Sequence, residues 1–117
     1  MTERDIDQFE KVSALHDFGS RDRIRVIVGG TDVVLFKVDG EIRAVVNNCP
    51  HQHFSMLHEG TMEAGRLTCP MHGWTFDLRT GSSVGNDGRL TVLRVVVRGD
   101  DVWVEKPNWG KSFSLLF

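Results

Sequence analysis

Residues 23–46 read RIRVIVGGTDVVLFKVDGEIRAVV, three short apolar runs rich in β-branched side chains, separated by Gly29-Gly30 and Asp39-Gly40. Runs of this length and composition favour strands, and both dipeptides tolerate the positive φ angles of two-residue hairpin turns. The stretch therefore predicts an antiparallel meander with strands over 23–28, 31–38 and 41–46. Working outward, residues 9–15 extend the pattern upstream, and 90–97 and 102–105 resume it downstream, after a polar turn through Gly85-Asn86-Asp87-Gly88. Residues 47–80 break it: Asn, His, Cys, Pro and Gly accumulate, and only 66–68 and 74–76 are strand-like. Loop-rich segments set on a rigid scaffold commonly carry function. The chain shows no apolar pattern at the helical period, no internal repeat and no low-complexity stretch. The expected fold class is all-β with a loop-built insertion, and Phe36, Val45, Leu93, Val95, Val97 and Trp103 are its expected core.

The chain has 117 residues, a formal charge of -2, 40% hydrophobic residues and 26% charged ones. That is the size of one domain with its own core. Charges of both signs are intermixed and leave no basic footprint for nucleic acid. Apolar runs such as 33–36 and 95–97 fall far short of the roughly 20 residues of a membrane helix. The charged start, Met1-Thr2-Glu3-Arg4-Asp5-Ile6-Asp7, lacks the apolar segment of a secretory signal. A cytoplasmic protein that binds neither nucleic acid nor membrane is expected. In that reducing compartment, two cysteines standing beside histidines point to metal ligation rather than to a disulfide.

Those ligands come in two loops, Cys49-Pro50-His51 and Cys69-Pro70-Met71-His72-Gly73, with residues 52–68 between them. Each loop offers one thiol and one imidazole, so laying the loops side by side creates a site of two sulfurs and two nitrogens. Two metals fit that inventory: zinc in a closed tetrahedron, or a [2Fe-2S] cluster with two Cys on one iron and two His on the other. Structural zinc sites usually pair Cys with Cys and His with His, whereas each loop here is mixed, which suits a two-iron unit clamped between loops. His53 forms a second His-x-His with His51 and reads as a loop residue tuning the exposed edge, while His16 and His58 read as solvated.

These residues resemble a known family, the Rieske [2Fe-2S] proteins, and within it the soluble bacterial ferredoxins of the biphenyl-dioxygenase type. The likeness rests on Cys49-Pro50-His51, Gly60, and the run Cys69-Pro70-Met71-His72-Gly73-Trp74-Thr75-Phe76-Asp77 with Thr80-Gly81. It implies an antiparallel three-sheet sandwich forming a single domain over 1–117. A base domain over about 8–46 and 81–106 would carry a loop-rich cluster-binding subdomain over about 47–80, followed by an apolar tail at 107–117. It also implies that Cys49 and Cys69 hold the inner iron, and that His51 and His72 hold the outer iron near the surface. With two thiolates in place of four, the oxidised centre is formally neutral and accepts an electron more easily, which lifts the potential from roughly -400 mV into a window of about -150 to +300 mV. Trp74 and Phe76 stand where high-potential relatives place Ser and Tyr hydroxyls, and the chain contains no Tyr. The expected potential is therefore near the low end, about -150 mV. One departure from the family is the lack of a proline between Pro70 and Pro107, where many members carry a proline-bearing loop over the cluster.

The resemblance further implies a one-electron carrier, not an enzyme, which takes electrons from a flavin-containing NAD(P)H-dependent reductase and passes them to a terminal oxygenase of the aromatic-ring-hydroxylating type. Docking would be transient and near His51 and His72, around Gln52, His53, Phe54 and Met71, on a monomer or weak oligomer. The alternative is an electron-entry subunit of another oxidoreductase, such as a nitrite-reductase small-subunit type. Three further histidines and no Gly-rich phosphate motif leave nothing to build an oxygenase iron site or a nicotinamide site.

Overall fold

The computed structural model describes residues 8–48, 57–70, 74–84 and 88–107. Strand β1 (Phe9–Ala14) leads through a short 3-10 turn at Leu15–Phe18 into the meander β2 (Arg23–Val28), β3 (Thr31–Val38) and β4 (Glu41–Val46). The meander matches the expected limits because its turns are encoded. Gly29 and Gly30 take φ of 56° and 81°, and Asp39 and Gly40 take 51° and 82°, which is the left-handed pair that a two-residue hairpin between twisted strands requires. A second 3-10 turn (Leu57–Glu59) precedes β5 (Thr61–Glu63), β6 (Arg66–Thr68) and β7 (Thr75–Asp77); β8 (Val92–Leu93), β9 (Val95–Arg98) and β10 (Asp101–Glu105) close the chain.

Three antiparallel sheets result, ordered β1-β10-β9, β2-β3-β4-β8 and β5-β6-β7. The second is central and buries both faces of β3: Val33, Val34, Leu35 and Phe36 all have no exposure. Side chains alternate across a strand. Val33 and Leu35 accordingly join Ile42, Ala44 and Val46 in one core with Phe18, Val102 and Val104. Val34 and Phe36 join Val45 in a second core with Leu57, Leu67, Phe76, Leu78 and Leu90.

Several expectations change. The run 90–97 is two strands, because the chain switches sheets at Arg94: β8 pairs with β4, and β9 pairs with β10. Arg94 caps the switch, lying 5.5 Å over the Phe9 ring and 2.9 Å from Glu105 Oε2. Phe36, Val45 and Leu93 are buried as expected, but Val97 is 43% exposed, since β9 is the outer strand of its sheet, and Val95 and Trp103 are only half-buried. His58 is half-buried and hydrogen-bonded rather than solvated. Cys49, His51, His53 and His72, the proposed docking residues, and the tail beyond Pro107 lie outside the described residues.

Candidate metal centre

Cys69 stands directly after β6, with 1% exposure, in the second core beside Leu57, Leu67 and Phe76. The hairpin that carries it is closed twice. Thr68 pairs with Thr75 across the strands, their hydroxyls 3.0 Å apart, and one step further out the Cys69 N–H donates to the Trp74 carbonyl at 2.8 Å. Cys69 and Trp74, on either side of residues 70–73, are thereby fixed to each other. Trp74 packs half-buried against the same core, its ring centroid 6.4 Å from that of Phe76.

A side chain joins the residues that flank the other ligand-bearing stretch. Asn47, 1% exposed at the end of β4, accepts a hydrogen bond on Oδ1 from the Leu57 N–H at 2.8 Å, so one amide joins the two ends of residues 49–56. Its Nδ2 donates to Asp32 Oδ2 at 3.1 Å and to His58 Nδ1 at 3.0 Å. Asp32 is itself gripped by Arg25 through two bonds of 2.8 and 2.6 Å, which holds its carboxyl below the usual carboxylate range; the Asn47 amide lowers it further. Arg23, with its guanidinium 5.1 Å over the Phe36 ring, donates to the carbonyls of His58 and Gly60.

Gly60 then lets the segment after the first loop lie against β6. A Cβ there would lie 2.7 Å from the Thr68 carbonyl oxygen and 2.8 Å from Leu67 Cδ1, so only glycine lets the exit of the first loop lie against the strand that leads into Cys69. The family resemblance includes Gly60, whereas the roles of Asn47, Asp32, Arg23 and Arg25 emerge only from the structure. The one local signal for them is a polar Asn47 closing the apolar run Ala44-Val45-Val46 immediately before Cys49.

The donor chemistry fits a cluster. A thiol as buried as that of Cys69 ionises at a large cost in an apolar surrounding unless a metal takes up the charge. Of the four expected ligands, the structure describes Cys69 alone and buries it at the end of β6.

Comparison with known proteins agrees. The model of the Rieske [2Fe-2S] domain matches residues 8–95. The chain is 36% identical over 84 residues to the ferredoxin component of the naphthalene 1,2-dioxygenase system of Pseudomonas aeruginosa, covering 72% of this chain and 76% of that protein. It is 44% identical over 92 residues to the 4beta-methylsterol monooxygenase of Methylococcus capsulatus, of whose length it spans only 24%. Among solved structures it superposes, with a TM-score of 0.74 and 27% identity over 86% of this chain and 96% of the other, on a chain in the complex of reduced oxygenase and oxidized ferredoxin in carbazole 1,9a-dioxygenase. A three-sheet antiparallel scaffold, a buried cysteine after β6 and this family match lead to one conclusion: the chain belongs to the Rieske [2Fe-2S] domain family, and its cofactor is a Rieske-type [2Fe-2S] cluster.

Proposed function

We propose that the protein is a cytoplasmic one-electron carrier, the ferredoxin component of a multicomponent oxygenase system. It would accept electrons from a flavin-containing, NAD(P)H-dependent reductase and deliver them to a terminal oxygenase. The observation that carries this reading is the 36% identity over 84 residues to the ferredoxin component of a naphthalene 1,2-dioxygenase system. The match at 27% identity to a chain in a ferredoxin–oxygenase complex supports an oxygenase as recipient.

When bound, the cluster supplies reversible one-electron chemistry. The ligands we assign are Cys49 and Cys69 through sulfur and His51 and His72 through nitrogen, with residues 47–80 acting as a cluster-binding subdomain on a base formed by 8–46 and 81–106. Buried Cys69 keeps the sulfur side dry, and the imidazole side is the face offered to both partners. Contacts of this kind are small and short-lived, below about 1,200 Å².

The test is a low-temperature paramagnetic resonance spectrum of the dithionite-reduced protein with its metals quantified. An anisotropic spin-half signal with average g below 2 and about two irons per chain supports the reading, while a silent sample holding zinc overturns it. Electron transfer from a reductase and onward to an oxygenase, followed by rapid mixing, then tests the role itself. Redox titration is expected to give a midpoint near about -150 mV, and a value above about +100 mV would break the argument from Trp74 and Phe76.

A further inference from the structure

Asn47 is buried, with 1% exposure, yet it carries a full amide, and both ends of that amide are satisfied. Burying such a group is costly unless each donor and acceptor finds a partner. Its use therefore lies in what it ties together. The partners straddle the first ligand loop: Asn47 stands two positions before Cys49, while Leu57 and His58 follow the loop. Asp32 anchors the amide from β3, accepting from its side chain and, at 2.9 Å, from the Asn47 backbone N–H. Because the Nδ2 group is a donor, His58 Nδ1 accepts, and the proton of that ring sits on Nε2.

We propose that Asn47, held by Asp32, is a positioning residue for the cluster: by tying the chain before the first ligand loop to Leu57 and His58 after it, it favours the holding of the cluster by Cys49 and His51. This rests on reading those residues as ligands. A loop tied at its base samples fewer arrangements, so its donors meet the metal already organised. Groups that orient metal ligands in this way are commonly worth about 10- to 100-fold in metal retention.

The test compares the full iron-loaded chain with its Asn47→Ala and Asn47→Asp variants and with Val102→Ala, a truncation of a fully buried side chain in the opposite core. Iron loss to a chelator, the resonance line shape after reduction and the thermal midpoint are read on the same samples. Asn47→Ala is expected to lose iron about tenfold faster or more and to shift the resonance. Asn47→Asp keeps an acceptor for the Leu57 N–H but sets a second carboxylate against Asp32, and should fall between it and the unaltered chain. Val102→Ala should lower the midpoint while leaving the resonance unchanged. The role is overturned if the Asn47 variants keep the unaltered resonance, or lose iron no faster than Val102→Ala. Should Asn47→Ala fail to fold, Asn47→Asp is judged by the same readouts. Cys49→Ala and His51→Ala separate the two ideas: if these retain the signal, the ligand reading fails, whereas their loss of signal beside unaltered Asn47 variants overturns the positioning role alone.

Discussion

The two faces of the central sheet solve different problems with the same strands. On one face, Val33, Leu35, Ile42, Ala44 and Val46 meet Phe18, Val28, Leu93, Val102 and Val104, hydrocarbon against hydrocarbon throughout. On the other, Val34, Phe36 and Val45 meet a layer drawn from residues 57–90 that contains the Cys69 thiol and is bordered by Asn47, Arg23 and the Thr68–Thr75 pair. The first face needs only volume and alternation, which many sequences satisfy. The second must also hold polar groups at fixed distances, so its specification lies in single contacts, each with little redundancy.

Truncating one residue of β3 on each face gives the largest test of that contrast. Phe36→Ala is expected to cost about 3–5 kcal/mol and Leu35→Ala about 2–5 kcal/mol in denaturant unfolding. Both are fully buried, but Phe36 also floors the Arg23 guanidinium that holds His58 and Gly60. Iron retention should therefore fall with Phe36→Ala well beyond its loss of stability and follow stability alone with Leu35→Ala. Equal retention at matched stability would erase the distinction. A smaller effect separates two glycines. Gly60→Ala drives a Cβ into the Thr68 carbonyl and should cost about 1–3 kcal/mol together with bound iron. Gly40→Ala meets open space at φ +82° and should cost about 1–2 kcal/mol of backbone strain while leaving iron content intact.

The same division explains what could be read without coordinates. Strands β2, β3 and β4 match their expected limits because β-branched runs and left-handed turn residues are local signals. β5 was invisible: Thr61–Glu63 is short and polar, and its turn uses Ala64 at φ 53° rather than a recognisable glycine pair. The break at Arg94 escaped because alternation cannot report which sheet a strand joins. The proposed ligand loops announce themselves by residue type, cysteine beside histidine. Asn47 does not, since its partners Asp32, Leu57 and His58 are fifteen positions before and ten and eleven after it, and no local pattern links them.

Acid sharpens the comparison with the smallest effect. Arg25 holds the Asp32 carboxyl below the ordinary range, chiefly by hydrogen bonding, and Asn47 adds to it. A carboxyl lowered on folding contributes stability above its unfolded value, near about 4, and loses it as pH falls through the lowered value. The thermal midpoint should therefore decline below about pH 4, and Asp32→Asn should start lower at neutral pH and decline less steeply. On the opposite side of the molecule, His16 faces Asp100 and is raised by that hydrogen bond, so its contribution is present below its ordinary value near about 6.5 and fades as pH rises through the raised one. That pair is open to water, with the His16 side chain 75% exposed, and solvent screens it. His16→Ala should shift the midpoint between pH 6 and 8 by less than Asp32→Asn shifts it in acid. A larger shift from His16→Ala would mean that the exposed His16–Asp100 pair matters more than the network of Arg25, Asp32 and Asn47.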